Sequence, residues 1–190
     1  HYLRSTLERE GVIKQTFEGN RNHTAFKMSS LALYVLICLV TPVACTLCTP
    51  ANIDLVARIV FGEARGENNA GQLAVAFTVV NRVNKPGYPK TVPDVVNQKY
   101  NKGRNHQYNT LDSRKHDQLW QAAKARNTIS YRRAVNAAKY ALCGMKSDPT
   151  YGATFFCIKR KCTAKFENKY FKVIKEIRIG NHYFPIMGPR

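Results

Sequence analysis

Two glutamates four residues apart, Glu63 and Glu67, stand in the segment FGEARGE between two apolar stretches. A carboxyl group is a natural proton donor, but a free Glu is mostly ionised at neutral pH, its reference pKa being about 4.3. Burial against apolar surface disfavours the charged form and keeps the proton available. Glu63 follows Val56, Ile59 and Val60 at helical spacing, so the period turns it toward the buried stripe and not toward solvent. An ion pair with Arg58 or Arg65 is the plainer alternative for this residue. Glu67 lies beyond Gly66 and reads either as structural or as substrate-orienting.

The flanking elements must position these acids. Ile53, Val56, Ala57, Val60 and Ala64 recur at three- and four-residue steps, which predicts a helix capped at Asn52 and ended by Gly66. Asn69 caps a second predicted helix through Val83, apolar enough to be the central core element. Thr91 with Asp94 resembles a capping box for a short helix near Pro93–Gln98. Residues 99–112 (KYNKGRNHQYNTLD) read as a long surface loop, the kind that is often functional. Two more helices are predicted at Ser113–Ala125 and Thr128–Leu142. The texture then changes: Thr154–Ile158, Tyr170–Ile174 and Ile177–Ile179 are β-prone, and Gly180-Asn181 is a turn before His182-Tyr183-Phe184. Helices first and a small antiparallel sheet last make an α+β domain.

Within this frame, Thr154 and Asn181 are hydrogen-bond donors presented by the sheet. His182 and His106 can meet a ligand, although a non-catalytic, satisfied role is the ordinary one for each. Tyr108, Tyr151 and Tyr183 can stack on a flat ligand face or simply pack. The loop Lys159-Arg160-Lys161, with Lys165, can meet carboxylates or stand in solvent as a hairpin tip. Glu63, Glu67 and His182 lack HExxH-like spacing, so no metal site is expected.

The charge balance is strongly basic: 30 Lys and Arg against 12 Asp and Glu, a formal net charge of +18. Such a field gathers anionic partners. No nucleic-acid-binding motif accompanies the charge, which argues against that class. The apolar run Leu31–Val40 is too short to span a bilayer. With Met28 before it and Val43, Ala44 and Cys45 after it, residues 28–45 read as a secretory signal peptide, although Met-Ser-Ser lacks a positive n-region. No stable membrane insertion is expected once it is cleaved. Residues 1–27 read as an upstream extension, disordered or not translated, and 51–190 as the catalytic domain. Secretion favours disulfides, and the preferred pairing is Cys157–Cys162 with Cys48–Cys143. Zinc would call for CxxC-like pairs, which the mature chain lacks.

Four ordered blocks carry a resemblance. Glu63 sits in FGEARGE, followed by AGQLAVAFTVVNRV; the loop holds NHQYNTLD; the C-terminal part holds DPTYGATFF and then IGNHYF. From about Asp54 to Phe184 this set resembles the SleB/CwlJ-type cell wall hydrolases, the spore cortex-lytic enzyme family. The resemblance implies a lysozyme-like, mainly helical single domain with a small C-terminal antiparallel sheet, cutting the glycan strand of peptidoglycan. The family's catalytic glutamate falls on Glu63, and its polar loop on Gln107 and Tyr108. Where the family has a QFS-like triplet, this chain has Gln107-Tyr108-Asn109. Between the last two blocks it carries Cys162 and many lysines, where the family more often has Asn-Pro and Trp-containing stretches.

The expectation is therefore a secreted, monomeric enzyme with no cofactor, acting on bacterial peptidoglycan. Glu63 serves as general acid and base, with Glu67, Gln107, Tyr108, Thr154, Asn181 and His182 binding substrate. Ordinary glycosidases use two carboxylates. A lytic transglycosylase needs one, because the sugar's own 6-hydroxyl attacks. An amidase cutting the sugar–peptide bond and a catalytically inactive cationic wall-binding protein are the alternatives.

Overall fold

A computed structural model describes residues 47–100, 102–158, 167 and 169–190. The expected extension, the signal peptide, Cys162 and the basic loop at Lys159-Arg160-Lys161 and Lys165 lie outside the described residues.

Helix α1 spans Pro50–Ala64. It starts earlier than the sequence suggests. Thr49 caps it, its hydroxyl accepting from the Asn52 N–H at 3.2 Å. Pro50 takes the first helical position, where its missing N–H costs nothing. Asn52 is thus inside the helix, its side-chain amide bonding back to the Leu47 carbonyl. Helix α2 spans Asn69–Asn84 and is capped by Asn68, one residue before the expected cap. Helix α3, Val92–Val96, is capped by Thr91 as the capping-box pattern implies. Helices α4 (Arg114–Ala125) and α5 (Ile129–Leu142) are capped by Ser113 and Thr128, matching their predicted limits.

The core is built from α1, α2 and α5. Val56, Ile59 and Val60 of α1 and Val75 and Val79 of α2 are fully buried. Each such side chain contributes about 1.5–3 kcal/mol relative to exposure. Small residues on α1 (Ala57) and α5 (Ala134, Ala138, Ala141) are buried too and let the helices approach closely. The Cys48–Cys143 disulfide, Cα–Cα 4.7 Å, ties the start of α1 to the end of α5. That pairing is the expected one. Cys157 is also disulfide-bonded. Trp120 of α4 closes the core edge between Phe61 and Tyr131, with ring centroids 5.5 and 5.2 Å away.

The predicted loop has structure of its own. Strands β1 (Lys99–Tyr100) and β2 (Asn105–His106) form a minimal antiparallel ladder. A 3₁₀ turn follows at Asn109–Asp112. The C-terminal sheet is one hairpin, β3 (Phe171–Ile179) with β4 (His182–Pro189), turning at Gly180-Asn181. The two short runs expected before the turn are a single strand with a register shift between Val173 and Lys175. Thr154–Ile158 is not a strand: only an isolated bridge, Cys157 to Tyr183, joins it to the hairpin. Its β-prone residues pack as single side chains instead, Phe156 lying 6.1 Å from Phe184. Among the described residues, five α-helices and two small antiparallel ladders make the α+β domain expected. Among the described residues no helix is long and apolar enough to cross a membrane.

Candidate active site

Glu63 occupies the last turn of α1, next to Gly62. Gly62 is there for space. A Cβ at this position would lie 1.8 Å from the Thr110 hydroxyl oxygen and 2.4 Å from its Cβ. Without that atom, the 3₁₀ turn settles onto α1 and the Thr110 N–H donates to Glu63 Oε1 at 3.1 Å. Burial raises the Glu63 pKa above the ordinary carboxylate value, with the Thr110 bond and nearby His116 pulling less strongly the other way. Neither neighbouring arginine neutralises it: Arg58 pairs with Asp117 at 3.0 Å, and Arg65 lies over the Phe61 ring.

Glu63 lines two depressions. One, of about 170 Å³, is bounded by Arg82, Gln107, Tyr108, Asn109, Phe155 and Phe156. The other, of about 500 Å³, is bounded among others by Glu67, His116, Asn181 and His182. A carboxyl group reachable from both is placed to act on a bond that joins two bound units.

The structure divides the expected binding residues accordingly. Gln107 and Tyr108 share the smaller depression, and Glu67, Asn181 and His182 the larger. Thr154 falls in a third cavity, between Tyr88 and Phe171, where its hydroxyl accepts from Tyr88 at 3.1 Å. Glu67 is engaged internally. Its Oε2 accepts from the Asn181 N–H and its Oε1 from the Asn181 side-chain amide, both at 3.0 Å. Burial alone would raise its pKa, but those two bonds and the nearby His182 reverse the sign and leave it lowered. Its role is to pin the hairpin tip to the α1–α2 turn. Gly180, at φ 62°, is required there, since a Cβ would come within 2.0 Å of Glu67 Oε2. His182 is buried, edge-on to Phe156 at 5.2 Å, and 3.8 Å from Glu67. Burial lowers its pKa against the pull of Glu67.

Two further acids, Asp112 and Asp148, are occupied elsewhere. Asp112 is bound by His106, which lowers the Asp112 pKa. Asp148 accepts from Asn81, Thr150 and Gly152. Tyr151 is exposed beneath Lys175. No group of three His, Cys, Asp or Glu able to hold a metal ion occurs among the described residues.

Three contributors went unread in the sequence. Arg82 is buried, donates from Nε to the Thr154 carbonyl at 2.8 Å, and stacks 5.0 Å above Tyr108 and 5.4 Å from Phe155. Its Nη1 is buried without a hydrogen-bond partner. The signal existed: Arg82 continues the apolar row Val75–Val79 at helical spacing, and a charge on such a row calls for a reason. His116 and Thr110 left no comparable trace.

The comparisons with known proteins follow the same outline. A family model described as Cell Wall Hydrolase matches residues 66–185. Glu63 precedes that match, so its assignment rests on the geometry and on the motif. A spore cortex-lytic enzyme of Halalkalibacterium halodurans is 49% identical over 45 residues, 24% of this chain and 14% of that protein. One from Bacillus subtilis is 47% identical over 45 residues, 24% of this chain and 15% of that protein. The alignments thus span only a small part of these relatives' length. Among solved structures, the catalytic domain of the germination-specific lytic transglycosylase SleB from Bacillus anthracis matches with a TM-score of 0.51 and 26% identity. That match covers 73% of this chain and 96% of that one. The domain therefore has the lysozyme-like α+β fold expected from the sequence.

Proposed function

This chain belongs to the cell wall hydrolase family, and from that premise we propose that it is a secreted enzyme that degrades bacterial peptidoglycan by cutting the glycan strand. One observation carries the mechanism. A single carboxyl group, Glu63, stands between two depressions with its proton affinity raised by burial, and among the described residues no other acid around it is available. Among the described residues Glu67 is the only other carboxylate lining either depression, and Asn181 holds both its oxygens.

The chemistry then follows from one carboxyl group used twice. With a glycan laid across the two depressions, protonated Glu63 donates to the bridging oxygen. The bond from that oxygen to the anomeric carbon breaks, and the leaving sugar departs as an alcohol. The ionised Glu63 next takes the proton from the 6-hydroxyl of the remaining sugar as its oxygen bonds to the anomeric carbon. The product is a 1,6-anhydro end, and Glu63 is again protonated. The Thr110 N–H stabilises the carboxylate between the two transfers. Water in place of the 6-hydroxyl would give hydrolysis. That no second carboxylate among the described residues is free in either depression favours the intramolecular route, because an inverting hydrolase needs a base for its water. The printed description of the Bacillus anthracis neighbour as a lytic transglycosylase supports the same reading.

The test is Glu63→Gln, which keeps an acceptor for Thr110 but cannot donate a proton. It should fold, bind wall and fail to clear purified peptidoglycan. Clearing at the wild-type rate would refute the assignment. Mass spectrometry of wild-type products separates the routes: anhydro ends for transglycosylation, reducing ends for hydrolysis, free stem peptides for an amidase.

A further inference from the structure

A cavity away from Glu63 lies between α2 and α5, with a volume of about 500 Å³. Its lining contains two cations, Arg133 and Lys146, and no carboxylate. Arg133 is held in place by neutral acceptors alone. Its Nε donates to the Asn69 side chain at 2.9 Å and its Nη2 to the Glu67 carbonyl at 2.8 Å. Its charge is therefore positioned but not compensated. Gln72, fully buried, also lines the cavity. Its Nε2 donates to the Glu67 carbonyl, while its Oε1 has no donor. A buried acceptor left without a donor is unfavourable. Leu73 and Tyr140 supply an apolar wall.

Two cations beside an apolar wall describe the complement of a peptide's C-terminal end: carboxylate and side chain. We infer that this cavity is a second binding site, for the C-terminal carboxylate end of a short peptide. It rests on the proposed function only for the source of that peptide, the stem peptides of the wall. Glu67 links the two sites. Its main-chain carbonyl accepts from Arg133 on this side, while its carboxylate lines the depression beside Glu63. A stem attached to the glycan thus has an anchoring point on the other side of the same turn.

The probes are N-acetyl-alanyl-alanine, its C-terminal amide, and inorganic phosphate, titrated into isotopically labelled full chain and followed by NMR. The acid should give saturable shifts at the amides of Leu73, Asn136 and Tyr140. The amide should bind about tenfold more weakly, the loss of one charge-assisted contact. Lys146→Gln, an exposed position, should weaken the acid severalfold, and Glu63→Gln should leave its binding intact. Equal binding of acid and amide, displacement of the peptide by an equal concentration of phosphate, or no saturable shift would each overturn the inference. A peptide that fails to bind, in a protein whose clearing still depends on Glu63, removes this site alone. Clearing that survives Glu63→Gln removes the catalytic reading alone.

Discussion

Replacing Gly62 by alanine sets two physical effects against each other, and the structure says which wins. Gly62 is inside α1, where its backbone is helical. On propensity alone, Gly→Ala there should stabilise by about 1 kcal/mol. The added Cβ, however, would stand 1.8, 2.4 and 2.8 Å from three side-chain atoms of Thr110. Those distances are far inside van der Waals contact, so the 3₁₀ turn must withdraw by more than an ångström. Overpacking of this kind costs about 1–3 kcal/mol. Separation of Thr110 N from Glu63 Oε1 removes a hydrogen bond to a carboxylate, worth about 1.5–3 kcal/mol. The sum is destabilising by a few kcal/mol despite the better helix former.

The catalytic consequence has a sign as well as a size. A misplacement of about an ångström near the reacting atoms costs on the order of a hundredfold in rate. Loss of the Thr110 bond also removes one of the influences that lower the Glu63 pKa, so the alkaline limb of the pH–rate profile should move upward. All three close contacts are to the Thr110 side chain, so Thr110→Gly in the Gly62→Ala background should restore much of the stability and rate. Thr110→Ala should restore less, because its Cβ remains in the way. Urea unfolding and turbidity clearing of purified wall, measured across pH, read both quantities. A Gly62→Ala protein more stable than wild type and fully active would refute the geometry of the site.

Further outcomes follow from the same contacts. Since the folded Glu63 pKa is raised, its contribution to stability is complete below the ordinary Glu pKa and is lost as pH rises through the folded value. Glu63→Gln should therefore be more stable than wild type at pH 7 and no more stable at pH 4; urea midpoints that show the reverse order would contradict the burial of this group. Glu67 has the opposite sign, its contribution being present above the ordinary pKa and lost as pH falls through the lowered one. Asn181→Ala, which removes one of the bonds to Glu67, should cost about 1.5–3 kcal/mol at pH 7, and most of that penalty should vanish in acid. Cys48→Ala with Cys143→Ala opens a loop of 95 residues. The chain-entropy treatment puts the loss at about 4–5 kcal/mol, and thermal unfolding that is unchanged would show the bridge to be energetically idle.

What could be read from the sequence was whatever depends on local spacing. The stripes of α1, α2, α4 and α5 follow from a 3.6-residue period, and the cap at Thr91 from a side chain that reaches the next turn. Thr154–Ile158 misled because its composition is β-prone while its strand pairing is a tertiary matter, reduced to one bridge with Tyr183. The single long β3 was divided because Lys175 and Glu176 interrupt its run of apolar residues. The part of the site that was missed is held by contacts between distant positions. Thr110 reaches Glu63 across 47 residues and Asn181 reaches Glu67 across 114. Both use a backbone N–H, which every residue except proline carries and which therefore leaves no mark in the sequence.

Those two N–H groups explain how neighbouring glutamates come to differ. Glu63 and Glu67 are the same side chain, four positions apart in one motif. Glu63 receives one donor while its surroundings exclude water, and burial prevails: the proton is held more tightly. Glu67 receives two donors from Asn181 with His182 beside it, and the bonds prevail over burial: the proton is given up. One carboxyl group is thereby prepared to donate, and the other to remain a fixed anion that anchors the hairpin next to it. Such a divergence between paired acids is what assigns roles in carboxylate catalysis. The division depends on Gly62 and Gly180, the two positions where a missing Cβ lets the distant segment come close enough to donate. The chemistry of this site is therefore set as much by two glycines as by the acids between them.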